Sequence, residues 1–87
     1  MTGFYKLVIK KSAERELRAI QQQDLRRIVG RIRALAENPR PAGQEKLSGE
    51  ERYRVRQGDY RIVYAIDDAS RIVEIVKIGH RREVYRK

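Results

Sequence analysis

Eighty-seven residues make a single small domain, expected to span 1–87 and to bury about 60–65% of its unfolded surface. There is no cysteine, so a disulfide framework and a thiolate site are excluded, and a reducing cytoplasmic setting is the expectation. The net charge of +9 is more than solubility needs and points to a polyanion or an acidic protein as partner.

Taken in chain order, Gly3–Ile9 reads as a first strand, ended by Lys10 and Lys11. Its apolar run is too short for a signal peptide, and no segment reaches the roughly 20 apolar residues of a membrane span, so no membrane role is expected. Ser12 is a good N-cap for a helix over about Ala13–Ile20, with Ala13, Leu17 and Ile20 on one face. Gln21–Gln23 either bends the chain or continues that helix. From Asp24, a second helix carries Leu25, Ile28, Val29, Ile32, Leu35 and Ala36 on one stripe, with Arg26, Arg27, Arg31 and Arg33 on a solvated face. Gly30 within it suggests close approach to a neighbour. Asn38-Pro39 ends the helix, and Arg40–Glu51 reads as a loop with Leu47 plugging the core edge.

From Arg52 to Arg56 apolar and basic residues alternate, a gap at Gln57–Asp59 follows, and Tyr60–Ile66 is β-branched and aromatic. This is a β-hairpin pattern. Arg54 and Arg56 share one face, while Tyr53 and Val55 share the other with the helices. A turn at Gln57-Gly58 sets Arg54 opposite Arg61, and a turn at Gly58-Asp59 sets Arg56 there. Like charges opposed across strands destabilise the pair, so the row calls for an anion. A second turn at Asp67–Ser70 leads to a strand over Arg71–Ile78, broken at Gly79, and a basic tail from His80 to Lys87. The order β-α-α-β-β-β predicts an α+β fold: an antiparallel sheet with two N-terminal helices packed on one face and the other face open.

This order, the "YRVRQGDYRIVY" hairpin and the ending "VEIVKIGHRREVYRK" resemble the RelE branch of the RelE/ParE toxin superfamily. The most specific pieces are Gly58-Asp59-Tyr60-Arg61, Gly79-His80-Arg81 and Val84-Tyr85. The resemblance implies the toxin of a type II toxin–antitoxin pair, cutting mRNA in the A site of the small ribosomal subunit. It also implies a monomeric toxin bound and neutralised by a RelB-like antitoxin. It makes Arg61 and Arg81 the groups that hold the scissile phosphate and Tyr85 the candidate base, with Arg54, Arg56, His80 and Arg82 as phosphate contacts. The reaction needs no metal or cofactor, because the 2′-hydroxyl is an internal nucleophile. The best-known members carry lysines where this chain has Arg54 and Arg56. Guanidinium stays charged, so an acid or base role there gives way to electrostatic clamping. The alternatives are a ParE-like gyrase inhibitor without nuclease activity and a non-catalytic RNA-binding module.

Overall fold

The computed structural model describes residues 4–47 and 51–80. Seven elements follow in order: β1 (Lys6–Ile9), α1 (Lys11–Arg18), α2 (Gln22–Glu37), β2 (Glu45–Lys46), β3 (Tyr53–Gln57), β4 (Tyr60–Asp67) and β5 (Ile72–His80). They form one five-stranded sheet in the order β1-β5-β4-β3-β2. The expected α+β layering holds, with two differences. β1 pairs with β5 in parallel, because the two helices return the chain across the sheet before the hairpins begin. The other strand pairs are antiparallel. A short extra strand, β2, lies inside the segment read as loop, where Glu45 and Lys46 pair with Arg54 and Tyr53. Leu47 is half-buried at the end of that strand and donates its backbone N–H to Arg52 O at 2.8 Å, outside the main core cluster.

Alternation decides which face is which. Val55, Ile62, Tyr64, Val73, Ile75 and Ile78 point to the helices and meet Ala13 of α1 and Ile28, Ile32 and Leu35 of α2 in one buried cluster. Burying each such aliphatic side chain is worth about 1.5–3 kcal/mol, so this apolar face holds the layers together. Tyr53 and Tyr60 pack against the same cluster, as the alternation requires. The register slips at Val63/Tyr64, where a bulge keeps Ile75 and Ile78 both on the core side.

The helix boundaries shift from those read in the sequence. α1 starts at Lys11 with Lys10 at the cap position and no side-chain cap, so Ser12 falls inside the first turn. α2 starts at Gln22, taking in two glutamines of the connector. Gly30 is exposed, and a methyl group built there would meet nothing within 4 Å. The close approach suggested by a glycine in a helix is therefore absent. Gly30→Ala should raise stability by about 1 kcal/mol, read from the urea midpoint.

β5 outlasts its neighbour β1, and α1 covers the difference. Glu16 accepts the backbone N–H of Ile78 at 2.8 Å and the ammonium of Lys77 at 3.0 Å. A helix side chain thus stands in for a strand partner at the free edge. β5 also runs through Gly79 to His80 without the break expected there.

The chain between α2 and β2 is fixed by Tyr64. Its hydroxyl donates to Pro39 O at 2.7 Å and accepts from Gln44 Nε2 at 2.9 Å, and burial pushes its pKa up. Gln44 Nε2 also donates to Pro39 O, at 3.0 Å, so Tyr64→Phe removes one of two donors to that carbonyl and should cost about 0.5–1.5 kcal/mol in a urea titration. Nearby, Asp68 accepts two hydrogen bonds from Arg40, at 3.2 and 2.9 Å, and one from Tyr5 at 2.7 Å. These hold its carboxyl below the usual range, Arg40 first and then Tyr5. The contribution of this clasp is present above the ordinary carboxylate pKa and fades as pH falls through the lowered value.

Candidate functional site

The β3–β4 turn is built by Gly58 and Asp59. Gly58 has φ +61°, and Asp59 does not take a positive φ. A positive φ confined to the first central residue is the type II′ pattern, which suits the twist of a hairpin. That turn decides between the two registers left open by the sequence: Arg56 stands opposite Arg61, and Arg54 opposite Val63. All three arginines lie on the face away from the helices. Arg56 is exposed, whereas Arg61 is only 4% exposed and sits as a buried guanidinium on the sheet.

Glu45 joins this row. β2 sets it opposite Arg54, and Arg54 donates to its Oε1 from Nε at 3.0 Å and again from Nη2. Both donors converge on Oε1, and neither goes to Oε2. The Arg54 hydrogen bonds and charge, with smaller contributions from Arg56 and Arg61, hold the Glu45 carboxyl below its ordinary pKa. One ionised carboxylate is therefore set among three guanidinium groups, on a face where a phosphate would meet the same donors. The sequence reading passed over Glu45 because it sits in a two-residue strand within an irregular stretch. The available signal was weak: a carboxylate and a lysine just before the Leu47 plug, with no periodicity to fix a face.

His80 does not join the row. It pairs in register with Tyr60, on the helix side, and its ring meets the Tyr60 ring edge-on with centroids 5.8 Å apart. Gly79 takes the place opposite Arg61. Arg81, Arg82 and Tyr85 lie outside the described residues. Of the residues singled out in the sequence, the structure thus gathers Arg54, Arg56 and Arg61 and sets His80 on the opposite face. Among the described residues, no helix is long and apolar enough to cross a membrane.

The chain is thus a small α+β domain with two helices on one sheet face and an arginine row on the other. The chain belongs to the RelE/ParE family of type II toxin–antitoxin toxins: the family model described as "ParE toxin of type II toxin-antitoxin system, parDE" matches residues 7–85. Toxin RelE of Mycobacterium tuberculosis is 37% identical over 78 residues, covering 78% of this chain and 80% of its own length. Among solved structures, a chain of the M. tuberculosis RelBE2 toxin-antitoxin complex superposes with a TM-score of 0.82 at 26% identity, covering 93% of this chain and 95% of that one. A chain of the archaeal RelE-RelB complex from Pyrococcus horikoshii gives 0.80 at 27%, covering 90% and 96%. The intact Escherichia coli RelBE complex gives 0.77 at 25%, covering 87% and 95%.

Proposed function

We propose that this toxin is a ribosome-dependent endoribonuclease that cuts mRNA in the A site, with the 2′-hydroxyl of the substrate as nucleophile. The observation that carries the reading is the Arg56–Arg61 pair beside Arg54 and Glu45 on one sheet face. Opposed guanidinium groups are unfavourable for folding and favourable for gathering charge on a phosphorane. Only RNA offers the 2′-hydroxyl, so DNA is excluded as a cleavage substrate by chemistry.

In this mechanism Arg61 and Arg81 hold the scissile phosphate, and Arg54, Arg56 and Arg82 clamp its neighbours. Neither arginine nor an un-ionised phenol takes a proton readily at neutral pH. Glu45, kept ionised by Arg54, takes the proton of the 2′-hydroxyl as the 2′-oxygen bonds to phosphorus. The bond from phosphorus to the 5′-oxygen breaks, and the phenol of Tyr85 supplies that oxygen with a proton. The base role that the resemblance gives Tyr85 thus passes to Glu45, and Tyr85 acts in its ordinary protonated form. The ribosome completes the substrate geometry that a small domain cannot hold by itself.

The family match also bears a ParE description, which favours a second reading, gyrase inhibition without cleavage. Primer extension on mRNA in programmed ribosomes separates the two. Breaks in the A-site codon that vanish in Arg61→Ala and Tyr85→Phe support the nuclease. Absence of breaks, with DNA supercoiling by gyrase inhibited in parallel, supports the other. The partner proposed for the cell is an acidic, RelB-like antitoxin that covers the arginine row, as the solved relatives in RelB complexes suggest. A co-purified complex that leaves this row open while cleavage is blocked would contradict that placement.

A further inference from the structure

On the helix side of the sheet, behind the arginine row, a cavity of about 190 Å³ opens between the C-terminal turn of α1 and the ends of β4 and β5. Glu16, Ala19, Ile20, Tyr60, Ile78 and His80 line it. Its walls are of two kinds. Ala19, Ile20 and Ile78 are apolar, and Tyr60 and His80 present two rings inclined at 74°. A cavity of about 150 Å³ is enough to take up benzene, so the volume here suits one six-membered ring.

The polar element is Glu16. Its carboxylate is pinned by Ile78 N–H on one oxygen and Lys77 Nζ on the other. A carboxylate offers about four lone-pair sites, so acceptor capacity remains after these two bonds. A flat ring against aromatic walls, with a fixed anionic acceptor at its edge, is the chemistry that recognises a nucleobase bearing an amino group. Phosphate is disfavoured there by the same carboxylate. A cationic peptide side chain would meet a chain whose net charge is +9, which opposes its approach.

The position fits as well. The Tyr60–His80 pair is the next rung of the ladder after Arg61–Gly79, so the cavity and the buried arginine share one end of the sheet on opposite faces. An RNA strand gripped at Arg61 can pass round that end and leave a base behind the hairpin.

We propose that this cavity is a base-binding subsite that takes an amino-bearing six-membered ring, cytosine above uracil, from a nucleotide flanking the cleaved one. It rests on the reading of the protein as an RNA-cutting toxin, and it can fail separately from it.

The test is a titration of the full-length ¹⁵N-labelled protein with CMP, UMP, ribose 5-phosphate and N-acetylarginine amide, followed by amide shifts. CMP should move the Ala19, Ile20 and Ile78 amides with at least a several-fold lower dissociation constant than UMP. Ribose 5-phosphate should move the Arg54–Arg61 strands and leave Ala19 and Ile20 still. Ala19→Phe, at an exposed helix end, should abolish the CMP shifts at Ile20 and Ile78 while spectral dispersion is kept. Glu16→Gln retains an acceptor for Ile78 N–H and adds an amide donor for the uracil oxygen, so the CMP preference should vanish. Equal shifts with CMP and UMP, no shifts with either, or stronger binding of the arginine amide would each overturn the proposal. Cleavage on ribosomes without CMP shifts sinks the subsite alone. CMP selectivity without cleavage leaves the subsite standing and removes the nuclease.

Discussion

Arg61→Met should cut A-site mRNA at least about 100-fold more slowly than the parent while remaining folded. Arg61 is almost wholly buried on the sheet, and its cross-strand partner is Arg56, another guanidinium. Like charges opposed across strands are unfavourable, and the apolar side chain relieves that repulsion. Removing one fixed donor to a developing oxyanion typically costs about 100–1000-fold in rate. Arg61→Lys sharpens the test, since it keeps the charge and loses the planar fork. An intermediate loss is expected, because an ammonium cannot bind two phosphate oxygens in parallel. Single-turnover cleavage and the thermal midpoint are measured on one preparation. Parental cleavage by Arg61→Met would remove Arg61 from the site. A folded, inactive variant would place Arg61 in the chemistry and not only in the fold.

The arginine row was legible in the sequence because strand alternation has a period of two, and Arg54, Arg56 and Arg61 keep to it across the hairpin. Its register was not, since a turn at Gln57-Gly58 and one at Gly58-Asp59 fit the same residues. The positive φ at Gly58 and the ladder it sets settle the choice. The helices were legible through their apolar stripes, whereas their starts were not: Ser12 has the chemistry of a cap and lies one residue inside the helix that begins at Lys11. The pairing of β1 was hidden for a different reason. A strand that pairs with the last strand, in parallel, carries no local mark of its partner, and Lys6–Ile9 finds Ile72–Ile75 only after two helices have crossed the sheet. The side taken by His80 was left to one condition, whether β5 continues through Gly79. Once it does, alternation sends His80 to the helix side. Glu45 shows the limit most plainly, because two residues of strand have no periodicity to read.

Glu45→Gln should lower kcat by about 100-fold or more without raising KM, and should flatten any remaining acid limb of the pH profile. In the proposed mechanism the carboxylate is the proton acceptor that the arginines cannot be, and loss of a positioned general base costs about 100–10,000-fold. KM moves little or falls, because Glu45 occupies donors of Arg54 that a phosphate would otherwise take. The amide releases them, and the salt dependence of RNA binding steepens as one more cation faces the backbone. The pH argument has a definite sign. The base works ionised, and Arg54, with Arg56 and Arg61 behind it, holds the Glu45 carboxyl below its ordinary value. Activity therefore stays level through neutral and mildly acid pH and is lost only as pH falls through that lowered pKa. A Tyr85 phenolate acting as base would behave oppositely, with the rate climbing tenfold per pH unit from neutrality up toward the phenol pKa near 10. Tyr85→Phe in the parent, and again in Glu45→Gln, completes the comparison. If the two residues act as base and acid in one step, the double variant loses little beyond the worse single one, because residues that act as a unit are not additive. Independent losses would mean that Glu45 merely steers Arg54, and the base must then be sought elsewhere.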